Sequence, residues 1–300
     1  MVPPNGGPDH ILIRGTDALR AVYEVDTPEG ARFAVQQIAA LRLQQLKIWI
    51  GNRGGTYPAM PPEIIAAVVD EAHKHNIKVH AHATGLAEQK LALRTGVDVL
   101  VHPIRALDDE LLALLREKRP YWTPLLGFGD RSPVCDDDPF FIQTLPQQMI
   151  TEIRERVGRG LERTQGSCNP LPPERGQELR NAIVRATDAG ALVVLGTDAG
   201  PFAHYTYGWS AHRELELYVQ YGMSPMDAIV AATSRPAELL GIRDAGTLKR
   251  FNRADFLVLD ANPLEDIRNT RRINNVYLLG TRLDRNALLA EWQRRGGRSR

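Results

Sequence analysis

Between Thr27 and Gly200 short runs rich in Val, Ile and Leu alternate with longer amphipathic segments, and nothing else in the chain limits its fold so strongly. LKIWI, IKVHAHA, VDVLVHP, YWTPLLG and ALVVLGTDAG are largely apolar on both faces of a period-two pattern, as strands covered on both sides must be. Between them, ARFAVQQIAALRL, PPEIIAAVVDEAHKHN, LAEQKLALRTG and DDELLALLREK place apolar residues three and four apart, the spacing of helices that bury one side. Thr27 followed by Pro28 marks the start of the first of them. Parallel strands need crossovers, so the expected fold class is α/β with a parallel sheet.

The alternation then loosens. An irregular insertion from Phe128 to Pro139 leads into helical stretches over 140–163 and 174–189, and SAHRELELYVQYG and SPMDAIVAATSRPAELLG read as two closing helices. Beyond Gly241, GTLKRFNRADFLVLD and RRINNVYLLGTRLD are short β segments separated by turn residues, as in a small β domain. The expected division is therefore 1–241 for a (β/α) barrel and 242–300 for β segments of a small domain, with WQRRGGRSR as a frayed tail.

In a (β/α) barrel the strand ends open onto one face, so residues far apart in sequence meet there. Lys47, His80, His102 and Asp198 stand at the ends of four such runs. If the run ending in GTDAG is the eighth strand, YWTPLL is the seventh, VDVLVH the sixth, IKVHAH the fifth and LKIWI the fourth. About 40 residues remain upstream, whereas a complete barrel takes ~250 residues at roughly 30 per unit. The expectation is a (β/α)8 barrel that lacks its first strands.

Composition removes several classes of function. With 300 residues, 43% hydrophobic and 24% charged, the chain is long enough for one large core plus an appendage. A formal net charge of +1 offers no basic excess for nucleic acid or an anionic membrane. No apolar run approaches the roughly 20 residues that span a bilayer, and MVPPNGGPDH lacks the features of a signal peptide. The chain as written reads as cytoplasmic, and a leader on a missing N-terminal segment is compatible with it. Cys135 and Cys168 lie far from the four strand-end residues and form no metal knuckle.

KIWIGNRGGT, EAHKHNIKVHAHA, GVDVLVHPIRALDDELLALL, and GTDAG followed by HRELELYVQYGMSPMDAIVAATSRPAELLGI together resemble the metal-dependent amidohydrolase superfamily. Within it, they resemble the branch of imidazolonepropionase and the Xaa-Pro dipeptidase-like enzymes, over nearly the whole chain. GTLKRFNRADFLVLDANPLEDI resembles that branch's return to its small β domain. The resemblance implies that Lys47 is carboxylated by carbon dioxide and bridges two metal ions. It implies that His80 and His102 hold the second ion, and that Asp198 binds the first and acts as the catalytic proton carrier. Zinc suits such mixed nitrogen and oxygen ligands, and manganese, cobalt or iron would fit. The implied reaction is hydrolysis of a carbon–nitrogen amide bond in a small-molecule substrate, a cyclic amide, a dipeptide or an N-acyl compound.

One departure stands out. The family places a His-x-His pair at the end of strand one, and His10 is the only histidine before Lys47. Taking His80-Ala-His82 as that pair would leave about 16 residues per unit up to Asp198, against roughly 30 required. A missing N-terminal segment explains the absence, and with sheet edges uncovered it implies a homo-oligomer or a partner segment. Two other readings stay open, a non-catalytic remnant or binding protein and a lactonase or phosphoesterase using the same site.

Bland readings accompany each residue. Lys47 is either a ligand or a lysine whose stem packs along a strand while its amine reaches water. His80 and His102 are ligands or core histidines, and Asp198 a ligand or a turn residue. His82 points the same way as His80 and suits substrate contact or support of a ligand. Arg105 suits a substrate carboxylate or plain solvent exposure, and His204, among the aromatic residues of GPFAHYTYGW, suits the pocket lining or the rim. His73 and His75 read as solvated residues that offset a helix dipole.

Overall fold

The computed structural model describes residues 1–4, 6, 22–52, 54–55, 58–129, 138–158, 173–199 and 206–296. They fall into two compact units, one of Met1–Pro124 with Glu178–Val194, the other of Leu125–Gln177 with Leu195–Arg300. The first unit carries the expected alternation as α1 (Pro28–Ala40), β1 (Gln45–Trp49), α2 (Pro62–Lys74), β2 (Lys78–His82), α3 (Leu86–Arg94), β3 (Val99–Val101), α4 (Asp109–Lys118) and β4 (Tyr121–Thr123). Most of α7 (Pro173–Asp188) and β5 (Leu192–Val193) complete it. The five strands form one parallel sheet in the order β1-β2-β3-β4-β5, so the α/β class is as expected.

Register explains which side chains are shut away. Ile48, Ala81, Leu100, Trp122 and Val193 lie in one row across all five strands, and every one of them is buried. The neighbouring row, Lys47–His80–Val99–Tyr121–Leu192, points to the opposite face because side chains alternate along a strand. It begins with two polar residues.

Helix ends follow local chemistry. Thr27 accepts a hydrogen bond from Gly30 N at 3.1 Å, and α1 buries Ala31, Ala34, Val35 and Ile38. Asp108 caps α4 by accepting from Leu111 N at 2.9 Å. Gly96 ends α3 with φ +87°, which only glycine adopts cheaply, and lets Val97 N reach Ala92 O at 3.0 Å just before β3. His73 is not simply solvated, since its Nε2 lies 2.8 Å from Asp98 Oδ2, and Asp98 also receives Lys78 Nζ at 2.7 Å and Val79 N at 2.9 Å.

The second unit holds a 3₁₀ turn (Leu126–Gly129), α5 (Pro139–Gln143), α6 (Gln147–Gly158), α8 (Trp209–Gln220), α9 (Pro225–Ala232) and α10 (Ser234–Leu239). An antiparallel sheet of β6 (Phe256–Leu259), β7 (Ile273–Leu278) and β8 (Thr281–Arg282) follows, then α11 (Arg285–Gly296). Phe141, Ile153 and Trp209 form its buried cluster, with Ala199 packed against it. Asp138 caps α5 and also accepts from Trp209 Nε1 at 3.2 Å and from Arg271 at 2.7 Å. Leu279 and Gly280, both at positive φ, make the tight turn between β7 and β8.

Three expectations need correction. The seventh-strand run stops at Thr123, because Pro124 has no N–H to continue the ladder and Leu125 turns to φ +54°. The last closing helix is broken into α9 and α10 at Thr233, since a continuous helix would need an N–H from Pro236. Over its described part, 292–296, the tail is helical and not frayed. Asp284 accepts from Ala287 N at 3.0 Å, which starts α11, and the helix runs to Gly296.

Candidate metal centre

Lys47 and His80 lie in the middle of β1 and β2 and not at the strand ends expected of them, because the ladder continues to Trp49 and His82, while His102 follows the end of β3. Lys47 and His80 are direct partners in register, and Trp49 and His82 are partners two residues further on. His80 and His82 thus share a face, as their spacing requires. Lys47 is exposed, His80 half-buried and His82 buried at 9% exposure. Trp49 stacks on the His82 ring with centroids 3.2 Å apart and planes at 14°, and His82 meets His102 edge-on at 4.0 Å and 68°.

His102 sits one residue beyond β3 with φ +88°, uncommon for a residue with a Cβ. Two hydrogen bonds hold that backbone, from His102 N to Thr123 O at 3.0 Å and from Trp122 Nε1 to His102 O at 2.9 Å. The positive φ turns the ring back toward His82 instead of continuing the strand's alternation. Asp198, in the second unit, is exposed and also has positive φ, +52°. Strained backbone of this kind clusters at functional sites.

Electrostatics favours a neutral imidazole at His80, whose pKa is pushed down to about 4 by burial first and by the charge of Lys47 second. Its Nε2 also meets Gln45 Oε1, on the same face of β1. His212, further along, is likewise brought to about 4 by burial and Arg271, and its Nδ1 lies 3.0 Å from Thr270 Oγ1, which suits a structural tie.

Among the described residues no three His, Cys, Asp or Glu side chains are gathered closely enough to hold an ion. Lys47, His80 and His102 belong to the first unit and Asp198 to the second. In the first unit the two imidazoles in contact are those of His82 and His102, while His80 pairs in register with Lys47, and imidazoles with an amine that becomes an oxygen ligand only when carboxylated are donors that suit zinc. Arg105 is exposed beyond β3, and His204, with both cysteines, lies outside the described residues.

Sequence reasoning missed Trp49 and Glu214. Glu214 on α8 is fully buried, and its carboxylate accepts from Leu126 N at 3.1 Å and Gly127 N at 2.5 Å, fixing the turn after β4. The signal was present, since Glu214 lies four residues from both Ser210 and Tyr218, on the buried phase of its helix.

Comparison with known proteins settles the lineage. The model of the amidohydrolase family matches residues 46–283. This chain belongs to the amidohydrolase family. Ochratoxinase of Aspergillus niger is 29% identical to it over 210 residues, 69% of this chain and 37% of the relative. Imidazolonepropionase of Deinococcus deserti is 37% identical over 103 residues, 33% of this chain and 25% of the relative. A prolidase solved with N-methylphosphonate-L-proline superposes with a TM-score of 0.64 at 25% identity, covering 87% of this chain and 59% of that one. The chain thus spans well under half the length of these two curated relatives. No helix among the described residues is long and apolar enough to cross a membrane.

Proposed function

We propose that this amidohydrolase-family chain is a metal-dependent hydrolase of a carbon–nitrogen amide bond in a cyclic amide, a dipeptide or an N-acyl substrate. The observation that carries the reading is the pairing of Lys47 with His80 in register, on the face of β2 that also bears His82, whose ring meets His102 edge-on. The names of the relatives support it, an ochratoxinase, an imidazolonepropionase and a prolidase.

In this reading Lys47, carboxylated at Nζ by carbon dioxide with release of a proton, holds zinc together with His80 and His102, and Asp198 completes the set. Manganese, cobalt or iron can replace zinc, and the full family site takes two ions. When bound, a divalent ion would lower the pKa of water from 15.7 to about 7 and would polarise a carbonyl, the chemistry that amide hydrolysis needs at neutral pH. Asp198 accepts a proton from the attacking water and delivers it to the leaving nitrogen. His82 supports the ligands, while Arg105 and His204 contact substrate. We propose further that the five-stranded parallel sheet within 1–241 is part of a (β/α)8 barrel, that 242–300 belongs to a small β domain, and that the chain assembles with a second copy or with a further segment.

The test is turnover of a panel of N-acyl amino acids, prolyl dipeptides, cyclic amides, lactones and phosphoesters. Amide hydrolysis that a chelator abolishes and zinc restores is the expected result. Turnover confined to esters would move the chemistry to a lactonase or phosphoesterase, and no turnover by a metal-loaded chain would make it a binding protein.

A further inference from the structure

The ladder that joins β2 to β3 ends at the pair His82 and Val101, one residue short of His102. His102 N turns instead to Thr123 O of β4, at 3.0 Å, and Pro103 has no N–H to give. Ala83 follows His82 and Pro103 follows His102. Their carbonyl oxygens are both acceptors and cannot bond to one another, so a link between them needs a donor from elsewhere.

Gln89 of α3 supplies that donor. Its Nε2 donates to Ala83 O at 3.2 Å and, more loosely, to Pro103 O at 3.5 Å. A primary amide carries two N–H groups on one nitrogen, so it can serve two carbonyls at once, and it does so without a charge that burial would penalise. The direction suits as well, because helical side chains lean toward the helix N-terminus and Gln89 lies in the first turn of α3, just after the Ala83 loop. Gln89 is 1% exposed, and its Oε1 meets no donor among the described residues. Stability alone would favour an apolar residue at such a place, so the amide points to a task other than filling space.

We propose that Gln89 is a positioning residue that clamps the backbone past His82 to the backbone past His102 and so helps to hold His102 in place for metal binding. This rests on the reading of His102 as a ligand. The rings of His82 and His102 already touch, with centroids 4.0 Å apart, and β4 bonds the His102 backbone through Thr123 O and Trp122 Nε1. The clamp adds to those contacts by fixing how far apart the ends of β2 and β3 stand. An ion takes its ligands at set distances, so strand ends that drift apart weaken its binding.

Gln89→Met keeps the length and burial of the side chain and removes its donor. Titrated with cobalt(II) chloride and followed by visible ligand-field absorption, the 300-residue Gln89→Met chain should bind about tenfold more weakly than the parent, the factor that one net hydrogen bond makes, with an altered band. Ala92→Gly, at a buried position of the same helix, lowers stability through helix propensity instead and should leave cobalt affinity and band as in the parent. If Gln89→Met does not fold, Gln89→Asn, whose shorter amide cannot reach both carbonyls, is read in its place.

A donor-lacking variant with the parent's affinity and band, while His102→Asn loses cobalt, overturns the positioning role and leaves the metal reading standing. Equal weakening by the Gln89 variant and Ala92→Gly, in step with falling melting temperatures, also overturns it, because Gln89 is then only structural. A parent without a cobalt band, or a His102→Asn variant that binds as the parent does, removes the metal reading and this inference with it.

Discussion

At the scale of single residues, His102 carries the main energetic oddity of the site. Holding a residue with a Cβ at φ +88° costs of order 1–3 kcal/mol, which the surrounding hydrogen bonds offset. The indole N–H of buried Trp122 is one of them, at 2.9 Å from the His102 carbonyl oxygen. Trp122→Phe keeps an aromatic ring in the row but leaves that oxygen without its donor, at a cost of about 1–3 kcal/mol, plus a smaller packing loss. Urea denaturation should show that loss, together with weaker metal retention. Asp98 makes a prediction in pH. Burial raises its pKa, but bonds from Lys78, the Val79 N–H and His73 outweigh this and leave it below 3.8. A carboxylate whose folded pKa lies below its unfolded value stabilises the protein fully above the unfolded value. That contribution declines as pH drops below 3.8 and is gone beneath the lowered folded value. Asp98→Asn should lower stability at pH 7 and flatten its decline under acid, as thermal melts at several pH values would show. That polar residues interrupt or end apolar runs at Lys47, His80 and His102 was legible. The partnership of His73 with Asp98 was not, since residues 25 apart meet only through the sheet.

At the scale of elements, α3 shows how two strand ends depend on one cap. Glu88 accepts from Thr84 N at 2.8 Å and Gly85 N at 3.0 Å, fixing the loop that follows His82. It fits because residue 51 is glycine, where a Cβ would come within 2.6 Å of Glu88 Oε1. Gly51→Ala should push the carboxylate off its donors and cost about 0.5–2 kcal/mol, the usual worth of an N-terminal cap. Glu88→Ala should cost a similar amount, and the double variant little more than either, as thermal melts can establish. The alternating elements of the first unit were legible because each period agrees with the burial it needs. The breaks at Pro124 and Thr233 were harder to read, because proline's missing N–H matters only once the bond it would have made is known. The small cap that turns the tail into α11 is one Asp284 carboxylate in a strongly basic segment, and charge concealed it.

At the scale of the molecule, each unit keeps large apolar side chains in water. Phe33 is 62% exposed on the first unit, and Phe251 is 87% exposed on the second. Exposed apolar groups that fail to find cover within a chain favour self-association. Light scattering coupled to size exclusion should therefore give a species larger than one chain, and a sharp monomer peak would count against the proposed assembly. The fold class was legible at this scale because alternating strand and helix periods require a parallel sheet covered on both faces. The complete ligand set was not, because it depends on bringing residues of different segments together, and Asp198 lies in a different unit from Lys47, His80 and His102. The most direct measurement is the metal content of the purified 300-residue chain, by plasma mass spectrometry after exchange into metal-free buffer containing bicarbonate. Zinc-class metal retained by the parent and lost from Lys47→Met and His80→Asn is the expected result. A parent that retains none, or variants that retain as much as the parent, would contradict the assignment of these strand ends as a metal centre.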